Sequence, residues 1–282
     1  MDIQWYPGHM TKAKRQMAED IKLIDLIIEL VDARAPLSSR NPDIDELGRN
    51  KARLVLLNKA DLADEKANKL WAEKFSAGNV KVLAADSRSR SFVKQINGII
   101  LDVCREKLER DKKRGIKNRP IRAMVAGIPN VGKSTFINSF AGRASAKTGN
   151  KPGVTKGKQW IKVGKMLELL DTPGILWPKF EDETVGRNLA FIGSVKDEVL
   201  NTEELSLLFL DFCVKNYPGK LYERYGTDES LPAHEMLYAI GEKRGCLGKN
   251  GEISYEKAAN AVLDDFRSGK LGRITLELPE EN

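Results

Sequence analysis

Through its first two thirds the chain breaks into short apolar runs, each ending in a polar cluster. The run 24–31, rich in apolar and β-branched residues, leads into Asp32-Ala33-Arg34. The run 53–57 ends at Asn58, 80–84 at Asp86-Ser87, 121–126 at Gly127 and 166–170 at Asp171. These read as short buried strands, and helical spacing fills the intervals at 63–76, 92–114 and 133–141. Alternating strands and helices predict an α/β fold with a doubly wound, mainly parallel sheet. Open sheets of this kind bind ligands at the carboxyl ends of their strands, where this chain concentrates its polar clusters. After Pro178 the pattern changes: 205–215, 220–225, 235–244 and 255–268 all carry helical spacing and are separated by Gly and Pro. The expected organisation is an α/β domain over 1–177 followed by a small all-α domain over 178–282.

Composition narrows the classes. A hydrophobic share of 41% over 282 residues suffices for a sizeable buried core. The apolar stretch 23–31 is interrupted by Asp25 and Glu29 and falls well short of the ~20 residues of a membrane span. Lys12, Lys14 and Arg15 lead into Glu19 and Asp20, not into an apolar run, so no signal peptide is expected. Cys104, Cys213 and Cys246 are scattered without a C-x-x-C, which argues against a disulfide framework or zinc site and suits a reducing cytoplasm. Charge is uneven: between 101 and 165 there are 17 Lys or Arg against 4 Asp or Glu, whereas from 187 onward there are 12 against 17. A polyanionic partner such as RNA would account for the excess, and so would a solvated basic helix.

The chemistry is carried by three strand-end motifs. Gly127-Ile128-Pro129-Asn130-Val131-Gly132-Lys133-Ser134 matches G-x-x-x-x-G-K-S between an expected strand and an expected helix. Glycines let successive backbone N–H groups turn toward phosphate oxygens, and the helix N-terminus adds partial positive charge. Asn130, Val131, Gly132, Lys133, Ser134 and Thr135 are therefore candidate phosphate contacts, with Lys133 at the β- and γ-phosphates and the Ser134 hydroxyl on Mg²⁺. Asn58-Lys59-Ala60-Asp61 matches the N-K-x-D guanine motif. The Asp61 carboxylate can accept from guanine N1–H and N2–H₂ together, while adenine offers neither donor at those positions. Asn58 would tie this loop to the phosphate loop, and Lys59 would lie against the base. Asp171-Thr172-Pro173-Gly174 follows an apolar strand, so Asp171 can hold Mg²⁺ through water and the Gly174 N–H can meet the γ-phosphate. Upstream, Thr155 in Lys151-Pro152-Gly153-Val154-Thr155 is the candidate that closes over Mg²⁺ and the γ-phosphate. Asp86-Ser87 stands where a second base-contacting loop is usual, though it departs from the common Ser-Ala pattern.

The order of these motifs is unusual: the guanine motif at Asn58 and the base loop at Asp86 precede the phosphate loop at Gly127. A circular permutation keeps every contact and changes only the connections. It moves the chain break to just after Asp171–Gly174 and hangs the helical domain on the loop that senses the γ-phosphate. With Trp5-Tyr6-Pro7-Gly8-His9-Met10, Asp32-Ala33-Arg34-Ala35-Pro36, Ser39-Arg40-Asn41-Pro42, the run 171–178 and Gly241-Glu242-Lys243-Arg244-Gly245, the chain resembles the permuted GTPases of the YlqF type over nearly its whole length. The resemblance implies a cytoplasmic GTP hydrolase that cycles between GTP and GDP and acts late in large ribosomal subunit assembly. Its activity would be stimulated by the precursor particle, its helical domain would contact ribosomal RNA, and a monomer is expected.

Ile175 stands where many GTPases carry the Gln that orients the attacking water, and it cannot hydrogen-bond. The resemblance assigns a catalytic role to His9, alongside Lys133, Thr155 and Gly174. It also makes Asn130 a candidate K⁺ ligand, the ion supplying charge where an arginine finger otherwise would. Two other readings stay open on the residues: a GTP-dependent protein-binding switch with no RNA partner, and a tRNA-modification GTPase.

Overall fold

The computed structural model describes residues 9–76, 80–116, 119–142, 159–172 and 182–279, with the side chains of 9–14, 90, 91 and 159 excepted. Six strands form one sheet: β1 (Leu26–Asp32), β2 (Ala52–Asn58), β3 (Val80–Ala85), β4 (Ile121–Ala126), β5 (Gln159–Val163) and β6 (Leu167–Asp171). Their order is β3-β2-β1-β4-β6-β5. Pairing is parallel throughout except for β5, which runs antiparallel to β6 with Ile161 opposite Leu169. The five parallel strands coincide with the five apolar runs of the sequence. In β1, β2 and β4 the continuous apolar character follows from burial on both faces, and every residue of β1 is buried. Edge strand β3 is instead mostly half-buried or exposed.

Strand β5 has no counterpart among the apolar runs of the sequence. It is an edge strand in which exposed Trp160 and Lys162 alternate with buried Ile161, so its apolar signal is half that of a central strand. Arg122 lies over the Trp160 ring, 5.3 Å from its centre. The single helix expected over 92–114 is two, α4 (Arg90–Val103) and α5 (Arg105–Lys113). The apolar face of α4 carries Phe92, Ile96 and Ile100 into the core and ends on buried Cys104, whereas α5 fully buries no residue, so the chain turns at Cys104.

In chain order the other helices are α1 (His9–Asp20), α2 (Pro42–Leu47), α3 (Glu65–Phe75), α6 (Lys133–Ala141), α7 (Glu183–Phe191), α8 (Thr202–Asn216), α9 (Lys220–Tyr225), α10 (Ala233–Arg244) and α11 (Tyr255–Arg267). Side-chain oxygens start several of them: Asp64 accepts from Ala67 N, Asp182 from Thr184 N, Asn201 from Glu204 N and Ser254 from Lys257 N. One apolar core runs from Phe92 and Phe136 through the sheet to Leu189, Phe209 and Phe266 of the C-terminal helices. The opposite face of β1 and β2 packs on Trp71 and Phe75 of α3. Within the helical part, the Phe209 ring centre lies 5.3 Å from Phe191 and 4.7 Å from Phe266. The three cysteines are buried and unpaired by disulfides, and burial pushes the Cys104 thiol up to about 11. Among the described residues no helix is long and apolar enough to cross a membrane.

Beyond α11 the chain doubles back across the α/β layer. Ile274 N donates to Leu62 O at 3.1 Å, Leu276 N to Arg34 O at 2.7 Å, and Trp71 Nε1 to Glu277 O at 2.9 Å. The Glu277 carboxylate accepts from Ser38 N at 2.7 Å, Ser38 Oγ at 2.6 Å and Asn188 Nδ2 at 3.1 Å. The aromatic trio ties α7, α8 and α11 together, and one buried apolar cluster joins these helices to the sheet. Phe209→Ala is expected to cost about 3–5 kcal/mol of stability. Its denaturant midpoint should fall accordingly; an unchanged midpoint would show that Phe209 does not hold the C-terminal helices together.

Candidate nucleotide-binding site

The loop after β4 can be followed from its glycines. Gly127 has φ +150° and a Cβ there would come within 2.5 Å of Leu30 O. Gly132 has φ +97° and a Cβ would collide with the side-chain amide of Asn58. Neither position accepts a side chain, and the second collision shows how tightly the loops after β2 and β4 are packed. Helix α6 begins at Lys133, which leaves its first N–H groups without intrahelical acceptors at the loop. The buried Lys133 ammonium donates to Gly127 O at 2.9 Å and Ile128 O at 3.0 Å. Burial lowers its pKa to about 8, against the opposing pull of Asp171. Ser134 and Thr135 occupy the first turn of α6, half-buried.

Asn58, the last residue of β2, joins three loops. Its Nδ2 donates to Val131 O at 2.6 Å, and its Oδ1 accepts from Ser87 N at 3.2 Å and Ser87 Oγ at 2.5 Å. Lys59, with φ +58°, donates from Nζ to Asp32 Oδ2 and to Asn130 O, both at 2.8 Å. Asp61 Oδ2 accepts from Arg88 Nη2 at 2.5 Å, while its Oδ1 is buried and has no hydrogen-bond partner among the described residues. Arg88 lies outside every motif read in the sequence. Its Nε also bonds Asp86 Oδ1 at 2.9 Å, and Arg88 N donates to the same oxygen at 2.9 Å. The D-x-R spacing of this turn is the one local signal that could have drawn attention to it. Asp171 closes β6, buried, and Thr172 Oγ1 donates to Val125 O at 2.7 Å.

Asn58, Lys59, Asp61, Asp86, Ser87, Asn130, Val131, Gly132, Lys133, Ser134, Thr135 and Asp171 thus converge at the carboxyl ends of β2, β3, β4 and β6. Thr155, Gly174 and Ile175 lie outside the described residues, as does the side chain of His9, which opens α1. His234 is exposed on α10 beside Glu235.

The C-terminal helices reach the same edge. Asn130 has φ +60° and its Nδ2 donates to Gly193 O at 2.6 Å, while Ser194 Oγ donates to Pro129 O at 2.9 Å. These partners are more than 60 residues apart, so no local pattern announces them. Between the two parts lies a cavity of about 850 Å³ lined by Lys59, Asn130, Gly193, Lys196 and Arg267. A smaller one of about 450 Å³ opens beside Asp61, Ala85, Asp86 and Ser89.

Known proteins carry the same plan. A family profile described as "50S ribosome-binding GTPase" matches residues 122–225. The chain is 51% identical to ribosome biogenesis GTPase A of Bacillus cereus over 283 aligned residues, covering 100% of this chain and 95% of that protein. It is 32% identical to ribosome biogenesis GTPase A of Thermotoga maritima, over 99% of this chain and 95% of that one. The crystal structure of GNP-bound YlqF from T. maritima superimposes with a TM-score of 0.67 at 28% identity, covering 96% of this chain and all of the other. Its GDP-bound form gives 0.68 at 26% identity. The motif order, the sheet and these full-length likenesses agree: the chain belongs to the ribosome biogenesis GTPase A family, the circularly permuted GTPases of the YlqF type.

Proposed function

We propose that this chain binds guanine nucleotides at the strand-end loops and hydrolyses GTP as a checkpoint late in the assembly of the large ribosomal subunit. It docks on the precursor particle with GTP bound and leaves on hydrolysis. The observation that carries the nucleotide reading is the buried, unpartnered Oδ1 of Asp61. An orphaned carboxylate oxygen is costly unless a donor meets it, and guanine brings two adjacent N–H donors. Each charge-assisted bond contributes roughly 1.5–3 kcal/mol, enough together to disfavour adenine by orders of magnitude.

Phosphates would take the backbone N–H groups before α6 and replace the Gly127 and Ile128 carbonyls as partners of Lys133. Mg²⁺ fits the donors present, since the Ser134 hydroxyl and the Asp171 carboxylate, with Thr155, are hard oxygen ligands that leave room for substrate oxygens. Bound there, it would neutralise charge on the β- and γ-phosphates. Asn130 commits its amide nitrogen to Gly193, so a K⁺ ion would be held through the side-chain oxygen. With Ile175 unable to orient water, His9 takes that role, and Gly174 N–H meets the γ-phosphate. The basic excess over 101–165 suits ribosomal RNA. Residues 1–177 serve as the GTPase unit and 178–282 as the unit that contacts the particle, in a monomer of the cytoplasm.

Asp61→Asn is expected to weaken GDP binding by about a hundredfold or more, the loss of two charge-assisted bonds, and to admit xanthosine diphosphate. Unchanged GDP affinity in calorimetry would remove Asp61 from base recognition. Lys133 titrates near pH 8 in the free protein, and bound phosphates would raise its pKa. Binding therefore takes up a proton above that pH, and affinity falls as pH rises through it. Calorimetry at pH 7 and pH 9 in buffers of different ionisation heat should show uptake only at the higher pH. The ribosomal role is tested by co-sedimentation with large-subunit precursors in a non-hydrolysable GTP analogue and in GDP. Retention with the analogue alone is expected, along with particle-stimulated turnover that falls in His9→Ala and in NaCl relative to KCl. Equal sedimentation in both nucleotides would overturn the checkpoint.

A further inference from the structure

The turn Asp32-Ala33-Arg34 has no place in the nucleotide chemistry above, yet it holds an ion pair with both side chains only 1% exposed. Asp32 Oδ1 accepts from Arg34 N at 3.1 Å and Arg34 Nε at 2.8 Å; Oδ2 accepts from Arg34 Nη2 at 2.7 Å and Lys59 Nζ at 2.8 Å. Burial pushes the Asp32 carboxyl up, but Arg34 and Lys59 outweigh it and hold it far below the usual range. A buried pair of this kind stabilises a fold little better than apolar side chains of equal volume, since desolvation costs several kcal/mol per ion. Its connections lead elsewhere. The third nitrogen, Arg34 Nη1, donates at 3.2 Å to the backbone carbonyl of Arg267, the last residue of α11, and the guanidinium lies 5.1 Å from the Phe266 ring centre. The Arg267 side chain in turn bonds Phe191 O at 3.0 Å and Ala190 O at 2.8 Å, at the end of α7.

From Lys59 the bonds continue to Asn130 O, and Asn130 Nδ2 donates to Gly193 O, two residues beyond Phe191. The circuit closes: α11, Arg34, Asp32, Lys59, the phosphate loop, the end of α7 and back to Arg267. The cavity of about 850 Å³ lies inside it, lined by Arg34, Lys59, Asn130, Gly193 and Arg267. Lys59 itself sits at φ +58°, a backbone region that a residue with a Cβ enters at a cost, so external bonds must hold it there.

We propose that Arg34 is a positioning residue for guanine-nucleotide binding: through Asp32 it fixes Lys59, and through the Arg267 carbonyl it makes the grip of Lys59 depend on how α11 is docked. The helical part is thereby tied to the base-reading loop by a second route, independent of the loop that follows Asp171. The inference rests on the reading above that Lys59 lies against the bound nucleotide.

Arg34→Lys keeps the charge and loses the fork. GDP affinity, measured by calorimetry on the full chain, should fall about tenfold, within the range of measured coupling energies. In a Lys59→Ala background the same substitution should change affinity by less than about twofold, because the relay has lost its output. Additive losses would overturn the proposal. Should Arg34→Lys fail to fold, the charge-neutral pair Asp32→Asn with Arg34→Gln takes its place in the cycle. The link to α11 is read separately: GDP should slow amide exchange over 263–268 in the unmodified chain and not in the variant. Equal exchange with and without GDP in the unmodified chain would break that link. If Lys59→Ala alone left GDP affinity intact, the nucleotide-site reading would fail instead, a result distinct from additivity.

Discussion

The arrangement of this edge of the sheet depends on one side chain amide. Asn58 donates to the phosphate loop at Val131 and accepts twice from Ser87, so the loops after β2, β3 and β4 are held together although β1 lies between β2 and β4. The amide can do this because it carries a donor and an acceptor on one rigid plane. Close approach then imposes glycine at position 132, where any Cβ would meet Asn58. A site assembled this way requires the strand ends to lie close together at one edge of the sheet, and imposes no rule on their order along the chain. Permutation is tolerated for that reason: β2 with its guanine motif precedes β4 with its phosphate loop, and the two loops still meet.

The permutation also changes what lies next to the site. Gly193 and Ser194 contact the phosphate loop, the end of α11 contacts Arg34, and the segment after α11 pairs with Leu62, Arg34 and Trp71. The helical part is therefore seated against the phosphate loop and the base-reading loop at once. Motion of either loop would be felt in buried hydrogen bonds, which do not stretch gradually but break or hold. That is the physical basis on which a nucleotide state can be converted into a docking state.

Electrostatics in this region follows one plan. Lys133 and Arg34 are buried and Lys59 is half-buried, and each is held by carbonyl or carboxylate oxygens at hydrogen-bond distance. Arg88 does the same for Asp61 from the other side, gripping one oxygen while the second has no partner among the described residues. Groups already held in place, such as Lys59 and Arg88, avoid a reorganisation cost at binding, whereas Lys133 has carbonyl partners to exchange.

By itself the sequence determined the five parallel strands, the motif ends of each, the change to helices after Pro178 and the dozen residues that now share one edge. Those are local properties: central strands buried on both faces are apolar throughout, edge strand β3 keeps a Val- and Leu-bearing run, and loops that curl around phosphate need glycine at fixed offsets. Only the tertiary structure decided the rest. Edge strand β5 has one buried face and half the signal, and the break at Cys104 depends on where the core stops. Arg88 matters because Asp61 lies across a loop from it, and the bonds from Asn130 to Gly193 and from Arg34 to Arg267 join residues 63 and 233 positions apart. Hydrogen bonds between distant residues leave no periodicity behind, because their partners are chosen by folding and not by spacing.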